Sequence, residues 1–156
     1  MSPTFRSVLL RPALLCLALL LCAPAAWAAE KHYKPTTVWS VSLISVEPGQ
    51  TDAYLESLRG YYTSVMEEAI RQKLVLSYRI FVGSRSNPND WDLMILIEGP
   101  NWASLDGLDD KFDAIAAKMA GSTDKADAQQ KKEMGERAKI RTIFGGKMMQ
   151  QVEFTK

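Results

Sequence analysis

Alternation and three-four spacing divide the chain into six main elements and one polar extra helix. From Val38 to Val46 the residues are largely β-branched or aromatic, and Pro48-Gly49 ends the run. This predicts a strand with Trp39, Val41 and Leu43 on one side and Ser40, Ser42 and Ile44 on the other. Leu55, Leu58, Tyr62, Val65 and Ala69 then recur every three or four positions, which predicts a helix over 51–72 with Thr51 as its N-cap. Asp52 and Glu56 suit the positive end of that helix. Gly60 lies inside it at a cost of about 1 kcal/mol relative to alanine, and a close packing contact is one reason for it to be there.

Alternation resumes over 74–82 and 91–98. Leu74, Leu76, Tyr78, Ile80 and Val82 share one face of the first segment, and Leu93, Ile95 and Ile97 share one face of the second with Trp91. The polar stretch 83–90 between them reads as the loop of an antiparallel hairpin. Gly99-Pro100 stops the second strand, and Asn101 is placed to cap a helix striped by Leu105, Leu108, Phe112, Ile115 and Met119. A polar helix over 124–137 carries little apolar surface and is expected to be solvated. The last strand falls within 142–154, with Gly145-Gly146 as a bulge or break and Met148, Val152 and Phe154 on one face.

The order βαββαβ predicts an α+β ferredoxin-like fold, a four-stranded antiparallel sheet with two helices on one face. Trp39, Val41, Leu43, Tyr78, Ile80, Ile95 and Val152 are expected under the helices. The helix-free face is expected to hold Ser40, Ser42, Ile44, Ser77, Arg79, Phe81, Asp92, Met94, Leu96, Glu98, Met149 and Gln151. Nearly half of that set is apolar, more than a wetted sheet face usually carries. An apolar patch of this kind marks an interface or a ligand groove, and a symmetric homodimer with the two sheets face to face would hide it.

Export changes the picture at the N-terminus. Arg6 and Arg11 are the only charges before residue 29. An apolar run from Ala13 to Cys22 follows, and Pro24 and Ala26-Trp27-Ala28 come after it. These are the parts of a cleavable signal peptide over 1–28, cut before Ala29. The run is roughly 10–14 residues, short of the roughly 20 that span a bilayer. A flexible leader over 29–37 and a single domain over 38–156 are expected to follow, in the periplasm or outside the cell. Cys16 and Cys22 are the only cysteines, so the mature chain is expected to have no disulfide. Removing Arg6 and Arg11 from the 19 Lys+Arg leaves 17 against 18 Asp+Glu, too even a balance to attract nucleic acid or an anionic membrane. His32 is the only histidine and no cysteine remains after cleavage, which argues against a zinc site. Asp106, Asp109 and Asp110 lack the spacing of a calcium loop, and no metal or cofactor is expected.

Several segments resemble the dimeric α/β-barrel superfamily. Val46-Glu47-Pro48-Gly49-Gln50 opens a helix after a strand, as in that superfamily. Asp90 to Glu98 followed by Asn101-Trp102-Ala103-Ser104-Leu105-Asp106 is similar to its third strand and second helix entry. The similarity covers residues 38–154. It implies homodimerisation, with the two sheets closing into a barrel. Members include cofactor-free oxygenases, haem-degrading enzymes, isomerases and exported proteins without assigned activity, so the fold does not carry the function.

The candidate site residues follow from the expected barrel face. Arg79 is either an anchor for a carboxylate or phenolate ligand or one half of an internal ion pair with Asp92 or Glu98, because a buried unpaired charge is costly. Glu98 and Asp92 are acid-base candidates if held in a dry pocket, and solvated carboxylates otherwise. Ser77, Ser42, Phe81 and Met94 complete the expected ligand surface. Tyr54 and Tyr61 flank the stripe of the first helix and could meet the sheet edge or a ligand. Trp39 and Trp91 are expected in the core. The leading expectation is an exported homodimer that binds a small organic molecule in a sheet-helix pocket. The alternatives are a cofactor-independent oxygenase or isomerase, and a purely structural or interaction module.

Overall fold

The computed structural model describes residues 32–155. The expected signal peptide over 1–28 lies outside the described residues. Within them, four antiparallel strands and four α-helices form an α+β domain. The strands are β1 (Tyr33–Val46), β2 (Ser77–Val82), β3 (Leu93–Gly99) and β4 (Arg141–Phe154). The helices are α1 (Thr51–Leu58), α2 (Tyr61–Arg71), α3 (Leu108–Ala120) and α4 (Thr123–Ala138), with a short 3-10 turn at Trp102–Leu105. The sheet order β2-β3-β1-β4 is compatible with the ferredoxin-like class.

The expected first helix is two helices. Gly60 has φ 97° and ψ −107°, a conformation in which a side chain is strained. A Cβ placed there would meet nothing within 4 Å, so backbone conformation rather than close packing selects the glycine. The break redirects the apolar face. Tyr54 and Leu58 are buried from α1, and Met66 and Ala69 from α2. Tyr54 is therefore core, not a flank. Asn101 does act as a cap, but for the 3-10 turn, where its side chain accepts from the Ser104 N–H at 3.0 Å. The helix proper starts only after Gly107.

Strand register identifies the two faces. Ile44 pairs with Leu93, Ser42 with Ile95 and Ser40 with Ile97, while Ile80 pairs with Ile95 and Tyr78 with Ile97. Cross-strand partners share a face. Ile44, Val46, Leu93 and Ile95 form one core cluster with Tyr54 and Leu58, so this is the helix-covered face. Met66, Ala69, Val75 and Ile115 form the second cluster.

β1 is thus the reverse of what its composition suggests. Val38, Ser40, Ser42, Ile44 and Val46 look toward the helices, and Trp39, Val41 and Leu43 lie on the helix-free face. Both sets of the strand are apolar enough to be core, and the larger set is the one left uncovered. From Ser77 and Leu93 onward the faces of β2 and β3 fall as expected, but ahead of β2 the expected order is reversed: Val75 is buried with Met66, Ala69 and Ile115, and Leu76 is exposed. β1 also begins at Tyr33, before the expected boundary at Val38: Tyr33, Lys34 and Pro35 pair with Phe154, Glu153 and Val152. In β4 the register slips opposite Leu43 and Ile44, beside Gly145, which places the expected irregularity.

Candidate functional site

A cavity of about 400 Å3 lies between the helix-covered face and the four helices. Its floor is Ser42, Ile95 and Ile97. Tyr54 and Leu58 approach from α1, Tyr61, Tyr62 and Met66 from α2, Phe112 and Ala116 from α3, Gln130, Met134 and Arg137 from α4, and Arg141 and Ile143 from β4. Ser42 helps to explain the space: its neighbour on the same face of β1, Ile44, packs with Tyr54 and Leu58, whereas the small Ser42 side chain fills little volume. The apolar walls with a few converging polar groups are the usual composition of a small-molecule site.

The polar groups are unusual in lacking partners. Among the described residues, the buried hydroxyls of Tyr61 and Tyr62 and the buried Nε of Arg137 have no hydrogen-bond partner. Groups of this kind are rare in folded proteins, because each costs about 1–3 kcal/mol when left unmet. Burial pushes the Tyr62 phenol up to about 12, reinforced by Tyr54 and Tyr78 and opposed by the Arg137 charge. Tyr61 is also raised, by burial first and then by the Glu133, Asp113 and Asp127 carboxylates. Both phenols are therefore neutral donors at ordinary pH. Tyr62 is fixed by an edge-to-face contact with Tyr78, ring centroids 6.2 Å apart and planes at 88°.

Two arginines line the cavity from either side of the turn that joins α4 to β4. Arg137 is nearly buried, its side chain 10% exposed, and its Nη2 donates to Glu133 Oε2 at 2.6 Å. Arg141, the first residue of β4, donates from Nη1 to the Tyr54 hydroxyl at 3.0 Å, its guanidinium carbon 5.5 Å from the Tyr54 ring centroid. No carboxylate among the described residues lies within ion-pair distance of Arg141. The helix over 124–137 was expected to be solvated, but its Gln130, Met134 and Arg137 help to wall the cavity.

The expected site residues do not gather here. Of Arg79, Ser77, Ser42, Phe81 and Met94, only Ser42 lines the cavity. The other four lie across the sheet, on the helix-free face. Arg79 is exposed, and its guanidinium carbon lies 5.5 Å from the Trp39 ring centroid. Trp39 in turn donates from Nε1 to Gln151 Oε1 at 2.9 Å. Glu98 accepts from the Ser77 hydroxyl at 2.7 Å. Asp92 belongs to neither group. It pairs with Arg85 Nε at 2.8 Å and accepts from the Val46 N–H at 2.9 Å, tying the 83–90 loop to the end of β1. Arg79 forms no ion pair with Asp92 or Glu98.

Tyr61 was singled out by its flanking position. Arg137 and Arg141 were not, although Glu133 one turn before Arg137 on a helix that also offers Ala126 and Met134 was a readable signal. Among the described residues no helix is long and apolar enough to cross a membrane, and no cluster of three metal-ligating side chains occurs. No known protein family matches the chain, and no characterised protein matches it in sequence.

Proposed function

We propose that this chain is an exported homodimer of the dimeric α/β-barrel type that binds a small molecule in the cavity between its sheet and helices. The observation that carries the binding reading is the set of three buried, unpartnered polar atoms around an otherwise apolar space of about 400 Å3. A ligand supplying complementary atoms would remove their cost. The side chains offered for catalysis, Arg79, Glu98 and Asp92, stand outside that space, so binding is favoured over an acid-base reaction built on them.

The dimer reading draws on the helix-free face. Trp39, Leu43, Met94 and Leu96 are only half-buried there, Phe81 is 46% exposed and Met149 is 52% exposed. A face of this composition is more apolar than expected, because Trp39, Val41 and Leu43 take the places assigned to Ser40, Ser42 and Ile44. Covering it with a second copy would remove it from water.

Native mass spectrometry of the protein taken from its producing cell tests the binding reading. A retained organic molecule released on denaturation is the expected result; uniformly empty protein that also takes up no apolar probe overturns it. Light scattering at micromolar concentration should give twice the chain mass, and a monomer refutes the dimer. The intact mass of the exported protein should correspond to a chain starting at Ala29, and an uncut N-terminus refutes export by this signal.

A further inference from the structure

The cavity is unbalanced in a way that specifies its ligand. Its buried unmet groups include one obligate donor, the Arg137 Nε–H, and two hydroxyls that are free to donate, on Tyr61 and Tyr62. The charges are unbalanced too. Glu133 neutralises Arg137 at 2.6 Å, but Arg141, half-buried, is met only by a neutral phenol at 3.0 Å. Asp113 is the one carboxylate on the cavity wall, and it is exposed, where water screens it. A donor-rich corner with one uncompensated positive charge, next to apolar walls, is complementary to an oxyanion on an apolar body.

We propose that the cavity takes an apolar organic anion, its apolar body over Ile95 and Ile97 and its acid group between Arg137 and Arg141. This rests on the reading that the cavity binds a small molecule. The two residues flank the same short turn, in which the Ile140 N–H donates to the Arg137 carbonyl at 3.1 Å, and both side chains line the cavity. The acid group is a carboxylate or a group of like charge and size. Arg141 is the member of the pair with capacity to spare, since no carboxylate among the described residues pairs with it.

Two fluorescent probes that differ in one acid group separate this inference from the reading beneath it. These are 8-anilino-1-naphthalenesulfonate and its neutral parent N-phenyl-1-naphthylamine. Each is titrated into protein carrying 13C-methyl methionine. Met66 and Met134 line the cavity, whereas Met94 and Met149 lie on the opposite face of the sheet. The sulfonate is expected to bind about 10-fold tighter or more, the worth of a charge-assisted hydrogen bond, and to shift the Met66 and Met134 methyls. Arg141→Met should bring its affinity down to that of the parent and leave the parent unchanged; Arg141→Lys should lose less. Equal affinity of the two probes for wild-type protein, with Met66 and Met134 shifting for both, overturns the anion inference and leaves the cavity as a binding site. Shifts at Met94 and Met149 alone, or none, overturn the cavity reading itself.

Discussion

The two faces of the sheet divide their polar and apolar residues against intuition. The face under the helices has two serines at the centre of β1, and a cavity above Ser42. The face without helices has Trp39, Val41 and Leu43 from the same strand. In a protein whose only task was to fold, the larger apolar set would be expected inside, because buried area drives folding. The arrangement has a physical reading: the interior is kept partly open for something to enter, and the bare face is kept oily for something to cover. Each half of that reading can be broken separately.

The largest effect is expected on the bare face. Leu43 pairs with Met94 at its centre, so Leu43→Glu places a charge in the middle of the proposed interface. An unpaired buried charge costs about 3–5 kcal/mol, and the protein should run as a monomer in light scattering with its circular dichroism intact. A mass unaltered by Leu43→Glu would remove this face from the interface. Next comes the covered face. Ile44→Ala empties a position that is 1% exposed and should cost about 2–5 kcal/mol in urea unfolding at any protein concentration. Leu43→Ala, by contrast, should lower Tm most at low concentration, because its loss is felt through association. Identical concentration dependence for the two variants would erase the distinction between the faces.

A smaller effect comes from pH. Tyr62 holds its proton up to about pH 12 when folded, against 10 when exposed. The unfolded chain therefore gives up that proton first as pH rises, and the folded state binds more protons in between. Stability is intact below pH 10 and falls between 10 and about 12, by on the order of 2 kcal/mol. Absorbance at 295 nm should show a tyrosine titrating near 12, and Tyr62→Phe should abolish that step. The smallest effect belongs to that same variant at neutral pH. Removing a buried hydroxyl without a partner should leave stability unchanged or raise it by about 1 kcal/mol, whereas a loss above 1 kcal/mol would mean that the hydroxyl is satisfied in solution.

Much of the fold could be read from spacing alone. Over 77–82 and 93–98 the alternation assigned the core face that the register shows, and Phe112 and Ile115 of the next stripe reach the core, while Leu76 and Met119 are exposed instead. β1 is not one-sided. Val38, Ile44 and Val46 compete with Trp39, Val41 and Leu43, and only the pairing with β3 decides between them. The site was less legible than the fold for the same reason. Ser42 was placed on the wrong side with the strand, and Arg79 was credited with burial on a face that remains open in the protomer. Arg137 was hinted at only by Glu133 one turn before it, and Arg141 owes its position to the turn between α4 and β4, which no periodicity reveals. Gly60 was noticed, but its role is angular: it breaks the helix, after which Tyr62 packs on Tyr78 of the sheet.

The unequal strand lengths have a further consequence. β1 and β4 have 14 residues each, against 6 in β2 and 7 in β3. Their far ends, from Tyr33 to Thr37 and from Gln151 to Phe154, run on as a bare ribbon, closed by the Thr155 N–H on the His32 carbonyl at 2.9 Å and the Lys34–Glu153 ion pair at 3.0 Å. A pair of strands alone is marginal in water. The ribbon is therefore a fuse burning at its own rate: its amide protons exchange with solvent by fraying from the tip, long before the broad half of the sheet lets go.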